Sequence, residues 1–227
     1  MDDPGISHFS LPLRTRPDGA RYWCAADLTL PEGAAGAPVV LASVSPRRRE
    51  LLRRAGICFR DFDPGEDPPL AHLEDWPAAC LRAVHKAGRG ARAGPGRLSL
   101  GADTVVVYGG HTLGKPQDEE EARRMLGMLS GRAHLVYTAF CLAHAERSIR
   151  VLWLEVVRTE VRFRSLGPEE IAAYVAGGAP LDKAGAYGIQ DRGHRLVESI
   201  RGSYYNVVGL PVRQVGAALR RVGWQSR

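Results

Sequence analysis

Val39-Val40-Leu41-Ala42-Ser43-Val44-Ser45-Pro46-Arg47-Arg48-Arg49 is the stretch whose reading sets the architecture. Four apolar residues ending at a serine read as a short buried strand. Ser45-Pro46 then reads as a helix start, because serine caps exposed amides and proline suits the first helical position, where its missing N–H costs nothing. The helix buries Leu51, Leu52 and Ala55 on one face and stops at Gly56, after which Ile57, Phe59 and Phe62 supply a second strand. Strand, loop, helix, strand is an α/β unit.

Working outward, a helix is expected from Trp76 to Ala87, with Ala79, Cys80, Ala83 and Ala87 at helical spacing, followed by a Gly/Arg/Pro-rich loop. Leu98 to Ala102 reads as a strand ending at the charge of Asp103, with Val105-Val106-Val107-Tyr108 continuing to a Gly109-Gly110 hairpin turn. Asp118 and three glutamates open a strong helix that buries Ala122, Met125, Leu126 and Leu129 and stops at Gly131. Two long strand-like stretches, 133–145 and 149–163, read as a β-ribbon. Pro168-Glu169-Glu170 opens a helix that ends at Gly177-Gly178, and Val212 to about Val222 is the last. The alternation makes this an α/β sheet protein. Residues 1–37, rich in Gly, Pro and Ala and without periodicity, read as an N-terminal extension, partly disordered or irregular, and 38–227 as one domain.

Composition narrows the class. Hydrophobic residues make up 44% and charged residues 25%, as in ordinary globular proteins, so disorder is not indicated. Cys24, Cys58, Cys80 and Cys141 are scattered without zinc-ligand spacing, which points to a reducing compartment. No run reaches the roughly 18 apolar residues of a membrane helix and no basic-apolar leader follows Met1, so a cytoplasmic protein is expected. The net charge of +6 suits an anionic partner, and six basic residues between Arg47 and Arg60 concentrate it.

Chemistry is expected at several points. Arg47 and Arg48 stand in the first turn of a helix, where the macrodipole disfavours cations, so an anion should compensate; a phosphate chain or an acidic protein neighbour would do this. Asp103 lies inside an apolar strand, a costly place for a carboxylate unless it is hydrogen-bonded, paired or bound to metal. Lys115, between Gly114 and Pro116, is held on a stiff segment that could set an ammonium against a phosphate. In 182–190 and 202–211 small residues alternate with polar ones, as in an ordered loop or where backbone approaches a ligand. Ser43 and Ser45 lie in no GxSxG, and no histidine has a partner's spacing, so serine hydrolysis fits poorly.

Taken together, these blocks resemble the Maf family: Leu41-Ala42-Ser43 with Ser45-Pro46-Arg47-Arg48-Arg49-Glu50-Leu51-Leu52, Gly101-Ala102-Asp103-Thr104, Gly114-Lys115-Pro116, Leu129-Ser130-Gly131, the run Asp182-Lys183-Ala184-Gly185-Ala186-Tyr187-Gly188-Ile189-Gln190, and Tyr204-Tyr205-Asn206-Val207-Val208-Gly209-Leu210-Pro211. The resemblance covers residue 38 to the C-terminus. It implies a mixed twisted sheet with flanking helices, two lobes around a central cleft, similar to inosine triphosphate pyrophosphatases and often dimeric. It implies metal-dependent hydrolysis of a nucleoside triphosphate to monophosphate and pyrophosphate as nucleotide-pool house-cleaning, with Mg²⁺ or Mn²⁺ as cofactor. By matching position, Asp103 would be the general base and a metal ligand, with Glu66 as a second metal ligand. Ser45, Arg47, Arg48, Lys86 and Lys115 would contact phosphates, and Lys183 would join the substrate site. Arg47, Thr104 and Gln190 match the branch acting on dTTP and UTP rather than on 7-methyl-GTP. The chain departs from the pattern at Pro64-Gly65-Glu66-Asp67-Pro68, at Asp191, where the family usually has glycine, and at Ser203, where aspartate is common. The rival from another class is a nucleic-acid-binding or division-regulating protein gripping phosphate backbone with the basic helix, which predicts steeply salt-dependent binding instead of turnover.

Overall fold

The computed structural model describes residues 14–15, 20–25, 28, 30, 33–68, 75–178 and 180–225. Most of the first 19 residues therefore lie outside the described residues, and with them most of the segment expected to be irregular. Among the described residues the order is β1 (Arg14–Thr15), β2 (Arg21–Cys24), β3 (Val39–Ala42), α1 (Pro46–Arg54), β4 (Phe59–Phe62), α2 (Asp75–Ala93), β5 (Ser99–Tyr108), β6 (His111–Leu113), α3 (Glu119–Leu129), β7 (Ala133–Ala145), β8 (Ile149–Phe163), α4 (Pro168–Ala176), β9 (Val197–Arg201), α5 (Tyr204–Val208) and α6 (Val212–Arg221), with short 3-10 turns at Ala34–Gly36, Ala184–Ala186 and Asp191–Leu196.

One mixed sheet runs β1-β2-β8-β7-β5-β3-β4, with β6 added to β5 and β9 to β8. β3 is parallel to β4 and to β5, and the remaining pairs are antiparallel. The expected ribbon of β7 and β8 lies at the centre of this sheet, because both faces of β7 are apolar: Val136, Phe140 and Leu142 enter one core cluster and Ala139, Cys141 and Ala143 the other. Helices cover the two faces unequally. α2 packs on one face against β5, β7 and β8. The apolar sides of α1, α3, α4 and α6 join the cluster on the other.

α2 runs to Ala93, past the loop expected after Ala87. Its face carries Ala79, Ala83, Ala87 and Ala91 four residues apart, all fully buried, so the helix lies unusually close to the sheet. Gly101 completes the fit, since a Cβ there would stand 2.3 Å from Ala83 O and 2.3 Å from Ala87 N. Small residues such as Gly88 and Gly90 are weak helix formers. Here tertiary packing overrides propensity, as a Cβ on Gly90 would come within 2.3 Å of Ser99 Oγ.

The segment before residue 38 is not detached from the sheet. β2 pairs with β8 from Arg21↔Val156 to Cys24↔Trp153, Tyr22 stacks on Trp153, and the Arg21 guanidinium sits 4.9 Å above the Trp76 ring. At the other end, Trp224 Nε1 donates to Ala37 O at 2.8 Å. Among the described residues no helix is long and apolar enough to cross a membrane.

The sheet has an opening that places the site. β3 pairs with β5 as far as Ala42↔Gly101, while β6 pairs with it only from Val106 onward. Between these points β5 has no strand beside it on that edge among the described residues. Asp103 and Thr104 stand there.

Candidate active site

A cleft of about 470 Å³ opens at this break in the sheet. Because successive side chains of a strand point to opposite faces, Asp103 turns toward α2 and Thr104 toward α1 and α5. A cleft cut through the sheet edge can meet both.

On the α2 side, Lys86 Nζ lies 2.8 Å from Asp103 Oδ1 and 3.0 Å from Asp67 Oδ1, with the lysine and Asp103 side chains only 10% and 13% exposed. Arg82, one turn earlier on α2, lies 3.6 Å from Asp103 Oδ2. Sequence reasoning missed Arg82; the signal was its i, i+4 relation to Lys86, which puts both on one helix face. Glu66 lines the cleft, yet the carboxylate that reaches Lys86 is its neighbour Asp67. The β4–α2 loop sets this arrangement, where Gly65 N–H bonds Asp63 Oδ1 at 2.7 Å.

On the other side Arg48 is buried. Its Nε donates to Gly209 O at 2.9 Å, Nη1 to Ser43 Oγ at 3.2 Å and Nη2 to Thr104 Oγ1 at 3.2 Å. The guanidinium thus ties α1 to β3, to β5 and to the end of α5. Burial pushes its pKa below the usual guanidinium value, with the charge of Asp103 acting the other way, and no carboxylate hydrogen-bonds to it among the described residues. Thr138 donates to Asn206 O at 2.9 Å and shares a 2.9 Å hydrogen bond with Thr104. Asn206, fully buried, donates to Val136 O and Thr159 Oγ1 at 3.0 Å each. This polar lattice holds α5 on the sheet and fixes the cleft floor.

The α1 N-terminus faces the cleft through Ser45, its N-cap, and Arg47. Opposite stands the 182–190 loop. Gly185 N–H bonds Gly114 O at 3.0 Å and packs so tightly on Val106 that a Cβ would come within 2.9 Å. Ala186 follows at φ 61°, a positive angle that an alanine rarely adopts. This turn sends Tyr187 inward, where its hydroxyl and His134 Nε2 share a 2.8 Å hydrogen bond, and directs Asp182 and Lys183 to the rim. Lys183 lies across Gly188, where a Cβ would meet its Cδ at 2.7 Å. The small residues of this stretch therefore allow close approach of protein to protein as well as lining the cleft.

Ser45, Arg47, Arg48, Glu66, Lys86, Asp103, Thr104, Lys115, Lys183 and Gln190 all line this one cleft. Val106, Val136, Ile189 and Val207 give it an apolar recess. The cleft thus brings together basic groups, two carboxylates that share Lys86, and apolar side chains.

The Maf-like protein family model matches residues 38–222. The chain belongs to the Maf family. Among Maf relatives, a protein named dTTP/UTP pyrophosphatase from Anaeromyxobacter dehalogenans is 49% identical over 194 residues, 82% of this chain and 94% of that protein. One of the same name from Moorella thermoacetica is 49% identical over 192 residues, 82% of this chain and 95% of that protein. A solved structure, the nucleoside-triphosphatase / dITP/XTP pyrophosphatase of Mycobacterium abscessus, is similar at 14% identity and a TM-score of 0.36 over 81% of this chain and 94% of that one.

Proposed function

We propose that the protein hydrolyses nucleoside triphosphates, dTTP and UTP foremost, to the monophosphate and pyrophosphate. The observation that carries this reading is Lys86 held between the carboxylates of Asp67 and Asp103 at the floor of a cleft rimmed by Arg47, Lys115 and Lys183. The names of relatives near 49% identity point to the same chemistry.

The site also suits a divalent cation. The Asp67 and Asp103 carboxylates converge on one point, the Lys86 ammonium, so their oxygens are placed to share a cation. Among the described residues no group of three or more metal-ligating side chains occurs, and an all-oxygen pair completed by phosphate oxygens and water is the usual setting for Mg²⁺. Asp103 and Asp67 would hold it, with Glu66 at the margin. When bound, such an ion would neutralise phosphate oxygens and acidify water.

The chain's own residues supply the rest. Asp103, held by Arg82, accepts a proton from the water that attacks the α-phosphorus. The bond from that phosphorus to the bridging oxygen breaks, and its electron pair leaves with pyrophosphate. Ser45, Arg47, Lys115 and Lys183 hold the phosphate chain. Lys86 passes from its carboxylates toward the phosphates as they arrive. The base lies in the apolar recess, with Thr104 and Gln190 as its polar contacts. Arg48 secures Thr104 and Gly209 and so keeps the recess in shape.

The test is pyrophosphate release from dTTP, UTP, CTP, GTP, ATP and 7-methyl-GTP with Mg²⁺ or Mn²⁺. Asp103→Asn should lower kcat on UTP about a hundredfold or more, as expected for loss of a general base. Wild-type protein that releases pyrophosphate from none of these nucleotides would sink the proposal.

A further inference from the structure

Four carboxylates line the cleft among the described residues: Glu66, Asp67, Asp103 and Asp182. The reaction described above uses the first three and leaves Asp182 without a part. Its position is specific. Oδ2 accepts from Arg47 Nη1 at 3.2 Å and Oδ1 from Lys183 Nζ at 2.6 Å, so one carboxylate spans the two cations assigned to the phosphate chain. The bridge joins the first turn of α1 to a loop 135 residues later, across the cleft mouth.

Fold stability is a poor explanation for this bridge. The Asp182 side chain is 63% exposed, and exposed ion pairs contribute about 0–1 kcal/mol. The cations differ from it, since Lys183 is packed down to 12% exposure and Arg47 to 30%. Desolvation pushes the Asp182 carboxyl upward in pKa, but Lys183 and Arg47 outweigh it and leave the group below its ordinary range. It is charged at neutral pH.

We propose that Asp182 is a built-in competitor of the phosphate chain for Arg47 and Lys183, weakening the grip on polyphosphate and reclaiming both cations as pyrophosphate leaves. This rests on the reading of the cleft as a nucleoside triphosphate site. The chemistry gives the competitor a purpose. Cleavage leaves a new anionic oxygen on pyrophosphate, so cations that hold the substrate hold the product at least as firmly. An internal carboxylate a few ångströms away offsets that hold at no cost in diffusion.

Titration calorimetry with inorganic pyrophosphate and Mg²⁺, on wild type, Asp182→Asn and Asp182→Glu, tests this. Asp182→Asn removes the charge at nearly constant volume and should tighten pyrophosphate about tenfold, the scale of one lost unit charge near a partly exposed site. Its pyrophosphate inhibition constant against UTP should fall in parallel, while Asp182→Glu stays near wild type. Unchanged or weaker pyrophosphate binding by Asp182→Asn, with UTP still cleaved by wild type, overturns this inference and spares the proposed function. Wild type that neither binds pyrophosphate nor cleaves UTP overturns both.

Discussion

Replacing Gly101 by alanine should damage stability and catalysis together, although Gly101 touches no expected substrate group. The added Cβ would stand 2.3 Å from Ala83 O, 2.3 Å from Ala87 N and 3.0 Å from Ala87 Cα. All three are backbone atoms of α2, so no side-chain rotation relieves the overlap. Restoring ordinary contact requires α2 and β5 to separate by about 1 Å, and overpacking of this kind costs about 1–3 kcal/mol. The displaced residues adjoin Lys86, whose Nζ reaches Asp103 Oδ1 across the same interface at 2.8 Å. A shift of about 1 Å in a catalytic constellation can cost on the order of a hundredfold in rate. Urea unfolding and kcat for UTP should therefore fall together. Gly127→Ala is the control: Gly127 lies on α3 with nothing within 4 Å of its added Cβ, and there alanine should stabilise by about 0.5–1 kcal/mol. Gly101→Ala protein with wild-type stability and wild-type kcat would refute the argument that backbone contact sets the α2–β5 spacing.

Arg48→Lys keeps the charge but loses the fork, and one ammonium cannot serve Gly209 O, Ser43 Oγ and Thr104 Oγ1 together; unfolding in urea should show a loss of about 2–4 kcal/mol, and a loss below 1 kcal/mol would mean that the lattice tolerates the gap. Burial holds His134 near pKa 4 against an ordinary 6.5, so between these values the unfolded chain takes up a proton that the folded chain refuses. Stability is then intact above pH 6.5 and falls as pH drops toward 4, by up to about 3 kcal/mol from this group. His134→Phe loses its bond to Tyr187 at every pH but should lose less stability than wild type between about pH 7 and pH 5, and parallel curves would show that His134 is not the source.

Much of the fold was legible because local rules and tertiary demands agreed. Asp118 caps α3 by accepting from Glu121 N–H at 2.8 Å, Pro46 and Pro168 sit in the first turns of α1 and α4, and Gly109 and Gly110 take positive φ in the β5–β6 turn. β7 and β8 occupy the stretches read as long strands. Legibility failed where a partner decides the conformation. Residues 88–93 carry weak helix signals, and the sheet surface that makes them helical is distant in sequence. β2 reads as irregular because its stabilisation comes from hydrogen bonds to β8 and from Trp153 and Trp76. β9 and α5 were likewise unread. β9 is a half-exposed strand on an edge of β8, and α5, five residues long, is too short to show a period.

The site divides along the same line. Motif blocks identified the residues that line the cleft, but not what each one touches. Arg48 stood beside Arg47 as an equal in the sequence, and α1 geometry separates them: one guanidinium is buried in a lattice of neutral acceptors, while the other reaches the rim and Asp182. Glu66 and Asp67 are equally adjacent, and the loop around Gly65 brings Asp67 to Lys86. Asp103 and Thr104 show the most economical use of geometry. As neighbours in a covered strand they would face separate compartments, one under α2 and one under α1. The early end of β3 and the late start of β6 uncover the strand edge between them, so a single cleft meets a carboxylate fixed by α2 and a hydroxyl fixed by α1. The chemistry of the site thus depends on where two short strands stop.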